Sequence, residues 1–307
     1  MSISQQYSDV SAQPTVSLRN LTKYYGASRG VEGIDLDVEP GTVCGLLGPN
    51  GSGKTTILRM MLGLLKITRG TATVFGIDVA SSPPDWRSRV GYLPGELSLY
   101  ENQTVEQYLV YLSAIRRGDF SARITELCSR LSLDPTKHIG DLSKGTKQKV
   151  AVVQAFMHSP DLLVLDEPTS GLDPIIQREF EELIHEECAR GTAIILSSHV
   201  MSEAERLSTH VSIVNKGHLV LTDDIASLKA KVTRTIELEF DRPVDVQAFR
   251  AVDNVQSAEV NRQTVTCRVV GSENALLHLA ADRGAVTVRT HEQSLDQIFL
   301  DVVGNHS

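Results

Sequence analysis

The stretch GLLGPNGSGKTT, residues 45–56, decides the fold of this chain. Gly48, Gly53, Lys54 and Thr55 satisfy the pattern of glycine, four residues, then Gly-Lys-Ser/Thr, which is typical of a phosphate-binding loop. The apolar run TVCGLLG before the loop indicates a buried strand, and KTTILRMMLGLL after it has the 3.6-residue spacing of a helix. Strand, glycine-rich turn and helix are the context in which this pattern holds phosphate.

Each residue type in the loop suits a bound nucleotide. Glycines let successive backbone N–H groups point at phosphate oxygens, and the following helix adds its positive end. Lys54 is predicted to meet the β and γ phosphates, and Thr55 to place its hydroxyl on Mg²⁺. The alternative is a glycine-rich turn with a surface lysine. The predicted nucleotide contacts in the loop are Gly48, Asn50, Gly51, Ser52, Gly53, Lys54, Thr55 and Thr56.

Two further apolar runs end in polar residues, as buried parallel strands do when their carboxyl ends form a site. LLVLDEP brings Asp166 and Glu167 to the end of one strand. Asp166 suits Mg²⁺, and Glu167 suits the attacking water as a base or orienting group. ILSSHV ends the next strand with His199, which would face the same phosphate. Taken alone, the acids also fit a solvated strand end, and a lone histidine is more often structural.

Length and composition set limits on the function. The chain has 307 residues, which predicts one large α/β domain and a smaller companion. Its formal net charge of −8 disfavours nucleic-acid binding. The four cysteines form no CxxC pair, so we expect reduced thiols and no zinc site. Since no apolar run approaches 18 residues and residues 1–14 are polar, we expect a flexible N-terminal tail and a membrane role only through a partner.

Periodicity predicts the order of the remaining segments. Alternating residues from Thr15 to about Val38 indicate an antiparallel sheet, and residues 104–131 with TKQKVAVVQAFM indicate a helical insert. After about residue 231 the segments read as strand, helix, strand, strand, helix, strand, which suggests a ferredoxin-like unit. A last helical segment, SLDQIFLDVV, closes the chain.

Together these motifs resemble the nucleotide-binding subunits of ATP-binding cassette (ABC) transporters over roughly residues 15–230. LSKGTKQKV, residues 142–150, resembles the family's signature segment, so the resemblance assigns Ser143 and Gly145 to the γ-phosphate. TSGLDP resembles the loop that carries Asp173, and His199 matches the switch histidine. Tyr25, in LTKYYG, matches the aromatic residue that stacks on adenine, with Tyr24 as a possible substitute.

The resemblance implies the architecture and the partners. It predicts a P-loop α/β fold at residues 15–230 with a mixed-sheet core, an antiparallel β subdomain and a helical subdomain at about 88–158, followed by a small α+β domain at 231–307. ATP and Mg²⁺ would lie between two head-to-tail chains, each phosphate loop facing the other chain's signature. A separate membrane permease would hold this homodimer at the cytoplasmic face of the membrane. The C-terminal length is similar to that of drug, lipid or ion exporter subunits, and a packing or dimer-stabilising role is expected for it.

Two positions depart from the family's pattern, and two other functions stay open. Gly95, followed by Glu96, stands where the family has a glutamine near Mg²⁺ and the water, and Lys144 replaces the signature's second glycine. Because Glu167 and His199 are present, hydrolysis is predicted to survive. One alternative is a soluble cassette protein that acts on ribosomes or DNA. The other, motivated by Gly95, is a regulatory ATP binder without turnover.

Overall fold

The computed structural model describes residues 13–80, 84–231 and 233–292. The chain divides into two compact units, Met1–Thr222 and Asp223–Ser307. The first unit ends at Thr222, whereas the sequence predicted an end of the ATP-binding domain at position 230. Most of the predicted N-terminal tail, 1–12, and the segment SLDQIFLDVV lie outside the described residues.

The first unit contains both strands and helices. Its strands are β1 (Val16–Tyr25), β2 (Ser28–Val38), β3 (Val43–Leu47), β4 (Arg69–Val74), β5 (Ile77–Asp78), β6 (Val90–Leu93), β7 (Leu162–Asp166), β8 (Ala193–Ser198), β9 (His210–Asn215) and β10 (His218–Asp224), the last of which runs into the second unit. Its helices are α1 (Lys54–Met61), α2 (Val105–Arg116), α3 (Ser121–Arg130), α4 (Lys144–Phe156), α5 (Pro174–Ala189) and α6 (Met201–Leu207), with 3₁₀ turns at Pro84–Arg89 and Ile139–Asp141.

The described strands of this unit form two sheets. Strands β2, β1, β4 and β5 pair antiparallel in that order, as the alternating N-terminal segments predicted. The second sheet has the order β10-β9-β3-β8-β7-β6, and β3, β6, β7, β8 and β9 run parallel. Every residue of β3, β7 and β8 is buried, which explains their continuous apolar sequences. Because β3, β8 and β7 are adjacent and parallel, their carboxyl ends lie at the same edge of the sheet.

The helical insert packs through a shared apolar core and an ionic network. The rings of Phe156 on α4 and Phe180 on α5 meet edge to face, with centroids 6.0 Å apart. Arg123 on α3 donates to Glu187 on α5 over 2.7 Å, and the Glu187 side chain is only 1 % exposed. Arg130 pairs with Glu186 over 2.7 Å. Apolar packing thus holds α4 against α5, and paired charges hold α3 against α5.

The second unit has the predicted order of strand, helix, strand, strand, helix and strand. After α7 (Ile225–Lys231) come β11 (Thr233–Phe240), α8 (Val246–Arg250), β12 (Val255–Asn261), β13 (Thr264–Val270), α9 (Asn274–Asp282) and β14 (Ala285–Glu292). The strands form an antiparallel sheet in the order β12-β13-β11-β14. Apolar residues spaced two apart on β11 and β13 build its core, where Phe240 meets Phe249 edge to face. This arrangement is ferredoxin-like.

Candidate active site

The glycine-rich loop joins the end of β3 to the start of α1. Gly53 has a φ of 114°, and a Cβ there would lie 2.3 Å from Cγ1 of Val31, so no other residue fits. Ser52 is buried, and its hydroxyl has no hydrogen-bond partner in the protein. A buried polar atom without a partner is costly unless a ligand serves it. The loop therefore has the form of an anion-binding cradle.

Lys54 points its ammonium group into this loop. Its Nζ donates to the carbonyl oxygens of Gly48 over 2.7 Å and Pro49 over 3.3 Å, and it lies 3.6 Å from Oε1 of Glu167. Burial lowers the pKa of Lys54, and the charge of Glu167 opposes that shift. The lysine joins the loop and the carboxylate strand, which are far apart in sequence.

Asp166 and Thr55 bring a carboxylate and a hydroxyl together. Asp166 ends β7 and is 2 % exposed, and its Oδ2 accepts a hydrogen bond of 2.8 Å from the Thr55 hydroxyl. Its Oδ1 accepts one of 2.5 Å from the Ser197 hydroxyl on β8. Oxygen ligands of these two types, completed by substrate phosphates and water, are what Mg²⁺ prefers, so these residues fit that ion.

Glu167 stands at a turn with an unusual backbone conformation. Its φ of 51° lies in the left-handed region, which costs a non-glycine residue on the order of 1 kcal/mol. The Ser197 hydroxyl accepts its N–H over 2.9 Å, and Gln148 donates to the next carbonyl, that of Pro168, over 2.9 Å. The Glu167 Oε2 lies 2.8 Å from Nδ1 of His199. The turn thus directs the carboxylate toward both Lys54 and the histidine.

A cavity of about 360 Å³ opens over the loop, a size that suits a small-molecule ligand. It is lined by Tyr25, Arg29, Gly30, Asn50, Gly51, Ser52, Gly53, Lys54, Thr55, Thr56 and Glu167. Tyr25 is half exposed, with its hydroxyl 3.5 Å from that of Thr56, whereas Tyr24 donates to Glu32 over 2.9 Å. Of the two tyrosines, Tyr25 therefore lines this cavity. The sequence motifs carried no signal for Arg29.

The three signature and loop residues lie away from this cavity. Ser143 caps the start of α4, where its hydroxyl accepts the N–H of Thr146 over 3.2 Å. Asp173 caps the start of α5, where its carboxylate accepts the N–H of Ile176 over 3.0 Å. A Cβ on Gly145 would lie 2.3 Å from the carbonyl oxygen of Gly171, so the start of α4 is in direct contact with the loop before α5. Ser143, Gly145 and Asp173 thus form a second, separate surface.

Gly95 lies beside the carboxylate of Asp166. A Cβ at this position would lie 3.1 Å from Oδ2, so a glutamine here would begin next to the predicted metal-binding oxygen. Glu96, which follows it, is exposed. The departure from the family's pattern thus falls directly at the site.

Comparison with known proteins identifies the family. The family model described as ABC transporter matches residues 31–170. The bacitracin transport ATP-binding protein BcrA of Bacillus licheniformis is 32 % identical over 298 residues, which cover 94 % of this chain and 97 % of that protein. This chain belongs to the ATP-binding proteins of ABC transporters. The daunorubicin resistance ATP-binding protein DrrA2 of Streptomyces coeruleorubidus is also similar: it is 32 % identical to this ABC ATP-binding protein, over 94 % of each chain.

Solved structures give the same assignment. The ATP-binding subunit of an ABC transporter matches with a TM-score of 0.67 and 29 % identity, over 70 % of this chain and 92 % of that one. A dimeric cassette bound to ADP and Pi, 22 % identical with a TM-score of 0.61, covers 68 % of this chain and 98 % of that one and shares the fold. The predicted family, cassette fold and ATPase activity are confirmed. The described residues of this ABC ATPase include no helix suited to crossing a membrane.

Proposed function

We propose that this ATPase works as a head-to-tail pair of chains that drives a separate membrane permease. The observation that carries the proposal is the one-sided cavity, since the loop, Tyr25 and Glu167 line it while Ser143 and Gly145 lie elsewhere in the same chain. The exposed start of α4 offers N–H groups and a helix dipole to an anion. A second chain's α4 would close the cavity over the γ-phosphate. A solved cassette of the same fold is described as dimeric.

The site residues have distinct roles in this proposal. Lys54 supplies positive charge to the β and γ phosphates. Glu167 orients the water and accepts its proton as the water oxygen bonds to the γ-phosphorus and the bond to the bridging oxygen breaks. His199, 2.8 Å from Glu167, holds that carboxylate in place. Thr55 and Asp166 would hold Mg²⁺, which when bound neutralises charge on the phosphates.

An exposed apolar surface on the helical insert supports a permease partner. Tyr111 and Ile115 lie four residues apart on α2 and so share a helix face, and they are 43 % and 58 % exposed. Tyr100 packs edge-on against Tyr111 with ring centroids 5.8 Å apart. Large exposed apolar side chains in one place are typical of a protein contact. We assign this surface, Tyr100, Tyr111 and Ile115, to a permease that holds the subunit at the cytoplasmic face of the membrane.

Export is the direction we propose. The names of the relatives include bacitracin transport, daunorubicin resistance, a probable multidrug transporter of Escherichia coli and Nod factor export in Cupriavidus metallidurans. The transported compound would be hydrophobic, such as a drug or a lipid. The permease, rather than this chain, would select it.

The experiment is a purification from native membranes. The Glu167→Gln variant, held with ATP, should bring a polytopic membrane protein in stoichiometric amount. Adding Ile115→Glu should remove that protein, whereas adding Leu64→Glu, a change at an equally exposed residue outside α2, should keep it. ATP turnover of the otherwise wild-type subunit should be the same with either surface change. Ribosomal proteins or DNA, with nothing from the membrane, would contradict the transporter assignment.

A further inference from the structure

The strand register places Ser197 beside the predicted metal-binding carboxylate. Asp166 on β7 and Ser197 on β8 are register partners in a parallel pair, so their side chains point to the same face. The next residue, Ser198, points to the opposite face, where its hydroxyl donates to Glu203 on α6. Ser197 is completely buried. Its hydroxyl can therefore serve only the groups packed around it.

Both hydrogen bonds of this hydroxyl go to the two acidic residues of the site. It donates to Oδ1 of Asp166 over 2.5 Å, which leaves Oδ2 to Thr55. It accepts the N–H of Glu167 over 2.9 Å, at the residue whose φ is 51°. One side chain thus fixes the rotation of the first carboxylate and the backbone turn that directs the second.

We propose that Ser197 is a positioning residue for ATP hydrolysis. Its hydroxyl turns the Asp166 carboxylate toward Thr55 and holds Glu167 in the left-handed conformation that brings its carboxylate to Lys54 and His199. This inference rests on the proposed roles of Asp166 and Glu167. A hydroxyl with only a structural role would support the sheet without affecting metal dependence. Ser197, by contrast, couples metal binding and turnover through one pair of bonds.

The test compares three variants of the full chain. Ser197→Ala removes the hydroxyl, and Ser197→Thr keeps it on a β-branched residue that suits a strand. Ser212→Ala is the matched control, because Ser212 is equally buried in the same sheet and its hydroxyl lies 3.0 Å from that of Thr222. We measure phosphate release, ATP affinity without metal by calorimetric titration, and Mn²⁺ affinity in the presence of a non-hydrolysable ATP analogue by electron paramagnetic resonance.

Ser197→Ala should lower kcat about ten- to a hundredfold, the effect of losing hydrogen bonds to charged groups. It should weaken Mn²⁺ binding about tenfold and leave metal-free ATP affinity within about twofold. Ser197→Thr should restore most of both losses, and Ser212→Ala should change neither. If Ser197→Ala does not fold, Ser197→Cys, which has only a weak donor, replaces it in the same comparison.

Wild-type kcat and Mn²⁺ affinity in Ser197→Ala would overturn the inference, as would a slow Ser197→Ala variant with unchanged Mn²⁺ affinity. Failure of the proposed function gives a different result. If the proposed role of Glu167 is wrong, the Glu167→Gln variant would hydrolyse ATP at the wild-type rate, whatever the rate of Ser197→Ala. The two failures are therefore distinguishable.

Discussion

Gly145→Ala tests whether the start of α4 and the loop before α5 must touch. A Cβ at Gly145 would lie 2.3 Å from the carbonyl oxygen of Gly171, and real Cβ contacts are essentially never below 3.0 Å. The backbone must therefore shift by at least 0.7 Å, the difference between these two distances. Overpacking of this kind costs about 1–3 kcal/mol. For a unit of this size, each kcal/mol lowers the Tm by about 2–4 °C.

The displacement should also lower the rate of ATP hydrolysis. Gly171 lies two residues before Asp173, so the shift disturbs the surface that we assign to the second chain's nucleotide. We expect kcat to fall about tenfold, equivalent to about 1.4 kcal/mol, while ATP affinity at the phosphate loop stays within about twofold. Thermal unfolding, phosphate release and ATP titration measure these effects.

Gly140→Ala is the matched control for this change. A Cβ at Gly140 would lie 3.1 Å from the carbonyl oxygen of Glu101, so a shift of a few tenths of an ångström relieves the contact. Its Tm and kcat should stay close to the wild-type values. A Gly145→Ala protein with wild-type Tm and wild-type turnover would refute the reasoning about the close approach.

Three further predictions concern single side chains. Tyr25→Ala should weaken the binding free energy of ATP by about 1–3 kcal/mol and Tyr25→Phe should not, because the ring rather than the hydroxyl stacks on the base; a nucleotide titration checks this. Glu203→Ala should lower the free energy of unfolding by about 1–3 kcal/mol, measured in denaturant, because the buried carboxylate accepts hydrogen bonds from Thr169 and Ser198. Burial lowers the pKa of His158 from 6.5 to about 4, so the folded state binds fewer protons than the unfolded state between these values. The contribution of His158 to the free energy of unfolding should therefore fall by about 3 kcal/mol as pH drops from about 6.5 to about 4. His158→Gln should remove this contribution, measured as the difference between wild-type and variant stability in pH-resolved melts.

The phosphate loop and the strand ends could be predicted because their signals are local. A glycine pattern between an apolar run and a helical run specifies strand, turn and helix without distant information, and LLVLDE directly gives a buried strand that ends in acids. The order of the second unit also followed from periodicity alone. These features depend on neighbours in sequence, so one sequence was sufficient.

Features that depend on pairing between distant strands could not be predicted. Ser197 meets Asp166 because of the register between β7 and β8, which no local pattern specifies. The choice between Tyr24 and Tyr25 depends on which side of β1 each residue faces. That side is set by the antiparallel pairing of β1 with β2. The sequence alone therefore left both tyrosines open.

The mass of the Glu167→Gln protein in solution, measured by light scattering with and without Mg·ATP, tests the central claim most directly. The claim is that two chains complete each other's sites. It predicts twice the mass of one chain with Mg·ATP, the mass of one chain without nucleotide, and no pairing when Ser143→Arg is added. A Glu167→Gln protein that binds Mg·ATP and keeps the mass of one chain, while the wild type hydrolyses ATP, would contradict it.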